Sequence, residues 1–183
     1  MDLILLEPGD ATLLGGSLIE KGQWAEANLA YPDNCIELVS VNQGMKQQLT
    51  TDVSNSARTS GRPIITEFTC VKYVDKASVK LYEYCLRAQP IGVGKAATKI
   101  YLIRNSGDTM ANIMTMSLKD ALISEIQFQS HPNDMPTEQF KLNFTEVLWE
   151  YTVQNNDVSR GGNVKAGWSL ACNRPIGQFT SHQ

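Results

Sequence analysis

Histidine occurs only twice in the 183 residues, at His131 and His182, and no two cysteines form a C-x-x-C pair. The four cysteines, Cys35, Cys70, Cys85 and Cys172, are widely scattered. Structural zinc sites draw their ligands from closely spaced pairs, so this supply predicts no metal centre and four buried free thiols. A serine or cysteine nucleophile needs a histidine held by a carboxylate. His131 stands between Ser130 and Pro132 and His182 adjoins the last residue, neither in a nucleophile motif. Long apolar runs are also missing. The start, MDLILLEPGD, carries Asp2 and only four consecutive apolar residues before Glu7. A secretory signal needs a basic start and a longer run, and a membrane helix needs about 20 apolar residues. The expectation is a chain folded in the cytoplasm that leaves the cell, if at all, without a cleaved signal.

Charge of one sign is absent too. Sixteen Lys and Arg against 19 Asp and Glu give a net charge of -3, with no electrostatic reason to bind nucleic acid or an anionic membrane. One glycine-rich stretch, Gly92-Val93-Gly94-Lys95-Ala96-Ala97, fits the dinucleotide pattern G-x-G-x-x-A. That chemistry needs a turn leaving a strand and opening a helix, whose first amides bind pyrophosphate. Here the turn leaves a helical pattern and enters a strand pattern, so it reads as helix termination. No cofactor is expected.

What is present is ordinary globular material: 42% apolar and 19% charged residues, enough for one domain over residues 1–183 with a full core. A short strand over residues 2–6 stops at Pro8-Gly9-Asp10. Residues 7–34 show little period and read as an irregular insertion. Residues 35–43 alternate as a strand. Residues 50–63, TTDVSNSARTSGRP, hold only Val53 and Ala57 as apolar residues and read as an extended loop. Ile64–Val74 is apolar on both faces and implies two packing partners.

Asp75 to Gln89 reads as the one helix, with Asp75 as its N-cap, a Val74–Val79 staple, and Val79, Tyr82 and Leu86 as its apolar stripe. Strands follow at 96–104 and 112–118 around the hairpin signal Asn105-Ser106-Gly107-Asp108, then at 120–129 with Leu122, Ile126 and Phe128 on one face. In the long strand 138–154, apolar residues alternate at Phe140, Leu142 and Phe144, then at Val147, Trp149, Tyr151 and Val153. The parity switches once, near Thr145–Glu146, which predicts a bulge inside one bent strand. Residues 174–183 read as a flexible tail. No β-α-β alternation and no repeat occurs, so the fold class is mainly β: an antiparallel barrel of two sheets flanked by one helix.

The order of these pieces resembles the Hcp family, the tube proteins of bacterial type VI secretion systems. The resemblance runs from about Ile36 to Asn173. It rests on Ile36-Glu37-Leu38 with Ser40 and Gly44, the loop RTSGR, Phe68-Thr69, and Lys72 to Ser78 before the helix. MTMSLKDALISEI at 114–126 continues it, then Thr137, Glu138, Leu142, Asn143, Phe144, Val147 and Tyr151, then Gly161, Gly162, Gly167 and Trp168. Residues 7–34 are longer than the family's usual first connection, Val41-Asn42-Gln43 replaces its W-S-W, and the helix lacks its small-residue ending.

The resemblance implies hexameric rings that stack into a tube inside a contractile sheath, a VgrG-like tip protein, and small effectors held in the lumen. It implies no catalysis. It also implies that the loop 50–63 reaches the next ring, with Arg58, Thr59, Ser60 and Arg62 making the contact. A phage tail-tube protein is the alternative, and a small β-barrel ligand-binding module or enzyme a third.

Overall fold

The computed structural model describes residues 3–10, 12–14, 35–49, 61–92, 96–106, 109–154 and 160–180. In chain order they form β1 (Leu3–Glu7), β2 (Ile36–Leu38), β3 (Ser40–Asn42), β4 (Met45–Lys46), β5 (Ile64–Ile65), β6 (Phe68–Tyr73) and α1 (Ser78–Leu86). Then come β7 (Thr98–Ser106), β8 (Thr109–Lys119), β9 (Leu122–Gln129), β10 (Thr137–Asn143), β11 (Glu146–Gln154), β12 (Arg160–Ser169) and β13 (Arg174–Pro175). A seven-stranded sheet has the order β13-β12-β11-β8-β7-β1-β2 and a four-stranded one the order β3-β6-β10-β9, while β4 and β5 pair as a ribbon. Among the described residues the mainly β, one-helix, antiparallel class expected from the sequence is what forms, but the sheets do not close into a barrel. Most of the insertion 7–34 and of the loop 50–63 lies outside the described residues.

The parity switch near Thr145 has a different cause from a bulge. The expected strand 138–154 is two strands in two sheets: β10 pairs with β6 and β9, whereas β11 pairs with β8 and β12. Phe144 and Thr145 make the crossing, fixed by Thr145 N–H donating to Lys119 O at 3.0 Å and Leu170 N–H donating to Thr145 O at 3.0 Å. A chain turning from one layer to another must rotate its face to keep apolar residues between the layers. The strand 35–43 breaks the same way at Val39, with β2 in the large sheet and β3 in the small one. Ile64–Val74 breaks at Thr66, whose N–H donates to Gly44 O at 2.9 Å.

The main core lies between the sheets, with Leu6, Ile36, Ile100, Leu118 and Val147 from the large sheet against Phe68, Cys70, Ile123, Phe140 and Leu142 from the small one. Helix α1 turns Ala77, Leu81 and Tyr84 into that core. This corrects the expected stripe, because Val79 and Leu86 are 69% and 88% exposed. Apolarity alone chose the wrong face, since the buried side includes Ser78, whose hydroxyl is satisfied by hydrogen bonds. The helix also starts later than expected. Its N-cap position falls on Ala77, with no side-chain cap bond, and Asp75 instead accepts from Ala77 N–H at 2.8 Å across the preceding turn. On β9 a register shift opposite Lys141/Leu142 puts Ile123, in place of Leu122, on the buried side.

The four thiols do not share one environment. Cys35 and Cys70 are buried, and burial pushes both up to about 12, joined at Cys35 by the charge of Glu7. Cys85 is half-buried and Cys172 exposed, which corrects the expectation of four buried thiols.

The expected flexible tail is tied back onto the domain. Arg174 and Pro175 pair with Ser169 and Trp168 as β13, and Thr180 N–H donates to Glu146 Oε2 at 2.9 Å. Gly167 makes room for this return: a Cβ there would lie 2.4 Å from Leu148 Cδ2 and 2.8 Å from Ile176 O.

Candidate functional site

The most concentrated polar chemistry is a sealed cluster where β6, β10 and α1 meet. Lys72 and Glu138 are direct cross-strand partners, and both side chains are fully buried. Lys72 Nζ donates to Glu138 Oε1 at 2.7 Å, Ser78 Oγ at 3.0 Å and Tyr73 O at 2.8 Å, and lies 3.0 Å from Asp75 Oδ1. Tyr82 donates to Glu138 Oε2 at 2.6 Å. Burial, with the hydrogen bond to Glu138 and its charge, pushes the Tyr82 phenol up to about 12. Every strong donor and acceptor here has a partner inside the chain, so the cluster fastens the helix to the small sheet. Among the described residues no group of three or more His, Cys, Asp or Glu could hold a metal ion, and no helix is long and apolar enough to cross a membrane.

The surface is more informative than the interior. On β11, Val147 and Trp149 face the core, and alternation carries the same face on to Tyr151 and Val153. Tyr151 and its partner Val164 on β12 are 49% and 64% exposed. The core face of the large sheet therefore continues into water. Beside it, Met45, Lys46, Gln47, Pro63, Ile65, Trp149 and Trp168 line an apolar cleft of about 420 Å³. A second apolar groove lies between α1 and β9, at Tyr82, Cys85, Leu86, Ile126 and Phe128. The opposite face of the large sheet carries a second buried apolar cluster, Leu5, Cys35, Tyr101 and Ile103. Beside it is a polar depression with Lys99, Thr115, Ser117, Glu150, Thr152 and Asn163 around it.

Of the expected ring-contact residues, Arg58, Thr59 and Ser60 lie outside the described residues. Arg62 is described, and it is already engaged. Its guanidinium donates to the carbonyl oxygens of Leu170 and, at 3.3 Å, Ala171. Gln47 Nε2 donates to Gly61 O at 3.3 Å beside it. The root of the 50–63 loop is thus fastened to the turn after β12.

Two features escaped the sequence reading. The aromatic cleft joins Trp149, Trp168 and the β4–β5 ribbon, which no spacing rule connects. Glu146, at the crossing, is buried and bound to Thr180, Ser169 and Lys119. Burial pushes its carboxyl up, but hydrogen bonds from the Thr180 hydroxyl and amide and from Ser169, with the Lys119 charge, hold it below the ordinary 4.5. A charged residue at a parity switch was the one available signal for it.

The family model described as "Type VI secretion system effector, Hcp" matches residues 26–151. A solved structure described as a type six secretion system protein is similar with a TM-score of 0.77 at 19% identity, covering 96% of this chain and 100% of that one. Hcp1 from Salmonella typhimurium gives a TM-score of 0.66 at 18% identity, covering 96% and 99%. A type VI secretion system effector from Yersinia pestis gives 0.61 at 17% identity, covering 91% and 99%. No curated protein matches the sequence.

Proposed function

From the premise that this chain belongs to the Hcp family, the tube proteins of type VI secretion, we propose that six copies close into a ring and that rings stack into the ejected tube. The observation that carries this reading is the uncovered continuation of the core face at Tyr151, Val153 and Val164. A lone subunit leaves that apolar strip in water, and a neighbour packed edge to edge removes it. At about 25 cal/mol per Å², covering such a strip and the adjoining cleft rewards association by several kcal/mol before its entropic cost. The acting surfaces are apolar strips and polar loops, which suits a structural, non-catalytic part. In the assembled system the tube sits within a contractile sheath below a VgrG-like tip, with small effectors in its lumen.

The test is assembly. The double variant Tyr151→Glu/Val164→Glu puts two carboxylates into the strip without touching the core. Light scattering is expected to move from a ring mass to a monomer mass while the β-type circular dichroism is kept. A variant still ringed at the same protein concentration removes the strip from the interface.

Ring stacking is assigned to the 50–63 loop, whose polar composition suits a joint formed on demand. Arg58→Ala with Arg62→Ala is expected to leave the ring intact and to stop rings from forming tubes, as seen by electron microscopy, and from supporting secretion. Normal tubes from the double variant would make the loop a solvated tip.

A further inference from the structure

The tail does more than cover an edge. Glu146 is buried at the crossing, where burial of a carboxylate is tolerated only with strong partners. It has them: Thr180 N–H at 2.9 Å on Oε2, Ser169 Oγ at 3.1 Å on Oε1, the Thr180 hydroxyl also on Oε1, and Lys119 Nζ at 3.5 Å. Lys119 in turn donates to the Thr180 carbonyl, closing the clamp from the other side. Ser169 passes the connection on, because its oxygen accepts from Cys172 N–H at 3.2 Å and so shapes the turn 170–173. The carbonyls of Leu170 and Ala171, on that turn, are the two that Arg62 holds. One hydrogen-bonded path therefore runs from Thr180 through Glu146 and Ser169 to Arg62, at the root of the polar loop.

We infer that Glu146 is a positioning residue for assembly: by clamping the returning tail it steadies the 170–173 turn, and that turn holds Gly61–Pro63, the described root of the polar loop, in place. The clamp and the loop root are far apart in sequence and share no strand pairing with each other. The β11–β12 ladder at Glu146 and Ser169 and the Leu170 N–H on Thr145 O place the start of the turn. The side chains of Glu146, Ser169 and Arg62 carry the connection on to the tail and the loop root. This rests on the stacking reading of the loop for its consequence, but not for its geometry.

The experiment uses the full chain and measures backbone hydrogen exchange by mass spectrometry, with tube formation followed in parallel. Glu146→Ala removes the clamp, Thr180→Pro removes from outside the core the two Thr180 donors, the N–H and the hydroxyl, and Arg62→Ala cuts the far end. Loss of one or two charge-assisted hydrogen bonds is expected to speed exchange by about tenfold or more where they act. Glu146→Ala and Thr180→Pro should speed exchange both in peptides covering 170–180 and in those covering 61–66, with β6 and β10 unchanged. Arg62→Ala should speed 61–66 and leave Thr180 as it was. Glu146→Gln, which keeps the shape and an acceptor, should fall between. If the tail loosens in Thr180→Pro while 61–66 exchanges as in the parent chain, the inference is overturned. If both segments loosen but tubes form normally, the coupling stands and the stacking reading fails.

Discussion

Replacing Lys72 by methionine is expected to destabilise the fold by about 3–5 kcal/mol, because it leaves the Glu138 carboxylate buried beside a missing partner. In a chain of this length that lowers Tm by roughly 10 °C at fixed protein concentration. The loss is local in origin and global in effect. Lys72 bonds to Glu138 on β10, to the end of its own strand at Tyr73 and to the first residue of α1 at once, so its removal frees the helix from the small sheet. Glu138→Gln should cost less, since its one carbonyl oxygen still accepts from Lys72 while its amide can donate to a turned Tyr82 hydroxyl. The paired replacement Lys72→Met with Glu138→Leu should recover much of the loss, because no buried charge then lacks a partner. Urea unfolding of the three variants checks this. A Lys72→Met chain as stable as its parent would mean that water reaches the cluster.

Replacing Phe68 by alanine should cost about 3–5 kcal/mol by the lost transfer energy and the cavity left behind. Phe68 is 1% exposed, and its ring lies 5.5 Å from that of Phe144, tilted by 53°. Phe144 is the last core residue before the chain crosses between sheets, so the two rings brace that crossing. The contact joins β6 of the small sheet to the corner that delivers β11 to the large one. Phe68→Leu fills most of the volume and should cost under half as much. Equilibrium unfolding with an unchanged m-value is the expected form of the result. An equal loss for both replacements would point to the ring contact, and no loss for either would show that the corner does not depend on this packing.

The sequence by itself determined the mainly β class and the helix ahead of Pro90, because alternation and turn residues act over a few positions and need no knowledge of neighbours. The family followed from the order of motifs such as Lys72 to Ser78 and Gly167-Trp168. It placed the break near Thr145 correctly and misread its meaning. A parity switch is the same string of letters whether a strand bulges within one sheet or crosses to another, and only the partners of β10 and β11 separate the two. The helix face was misread for a related reason. Val79 and Leu86 are the more apolar residues, but Ser78 and Tyr84 are the ones that meet Lys72 and Asp10 in space. Sequence offers Arg62 as a contact to the next ring and gives no sign of its partners within the chain, because these are two carbonyls more than a hundred residues away. The tail 174–183 reads as flexible from sequence because the anchor of its described part, at Thr180, is a carboxylate buried on a different strand. Local pattern fixes what each segment becomes. Which polar groups are left over for a neighbour is settled only when distant segments have satisfied one another, because a buried donor or acceptor must find its partner wherever the fold brings one.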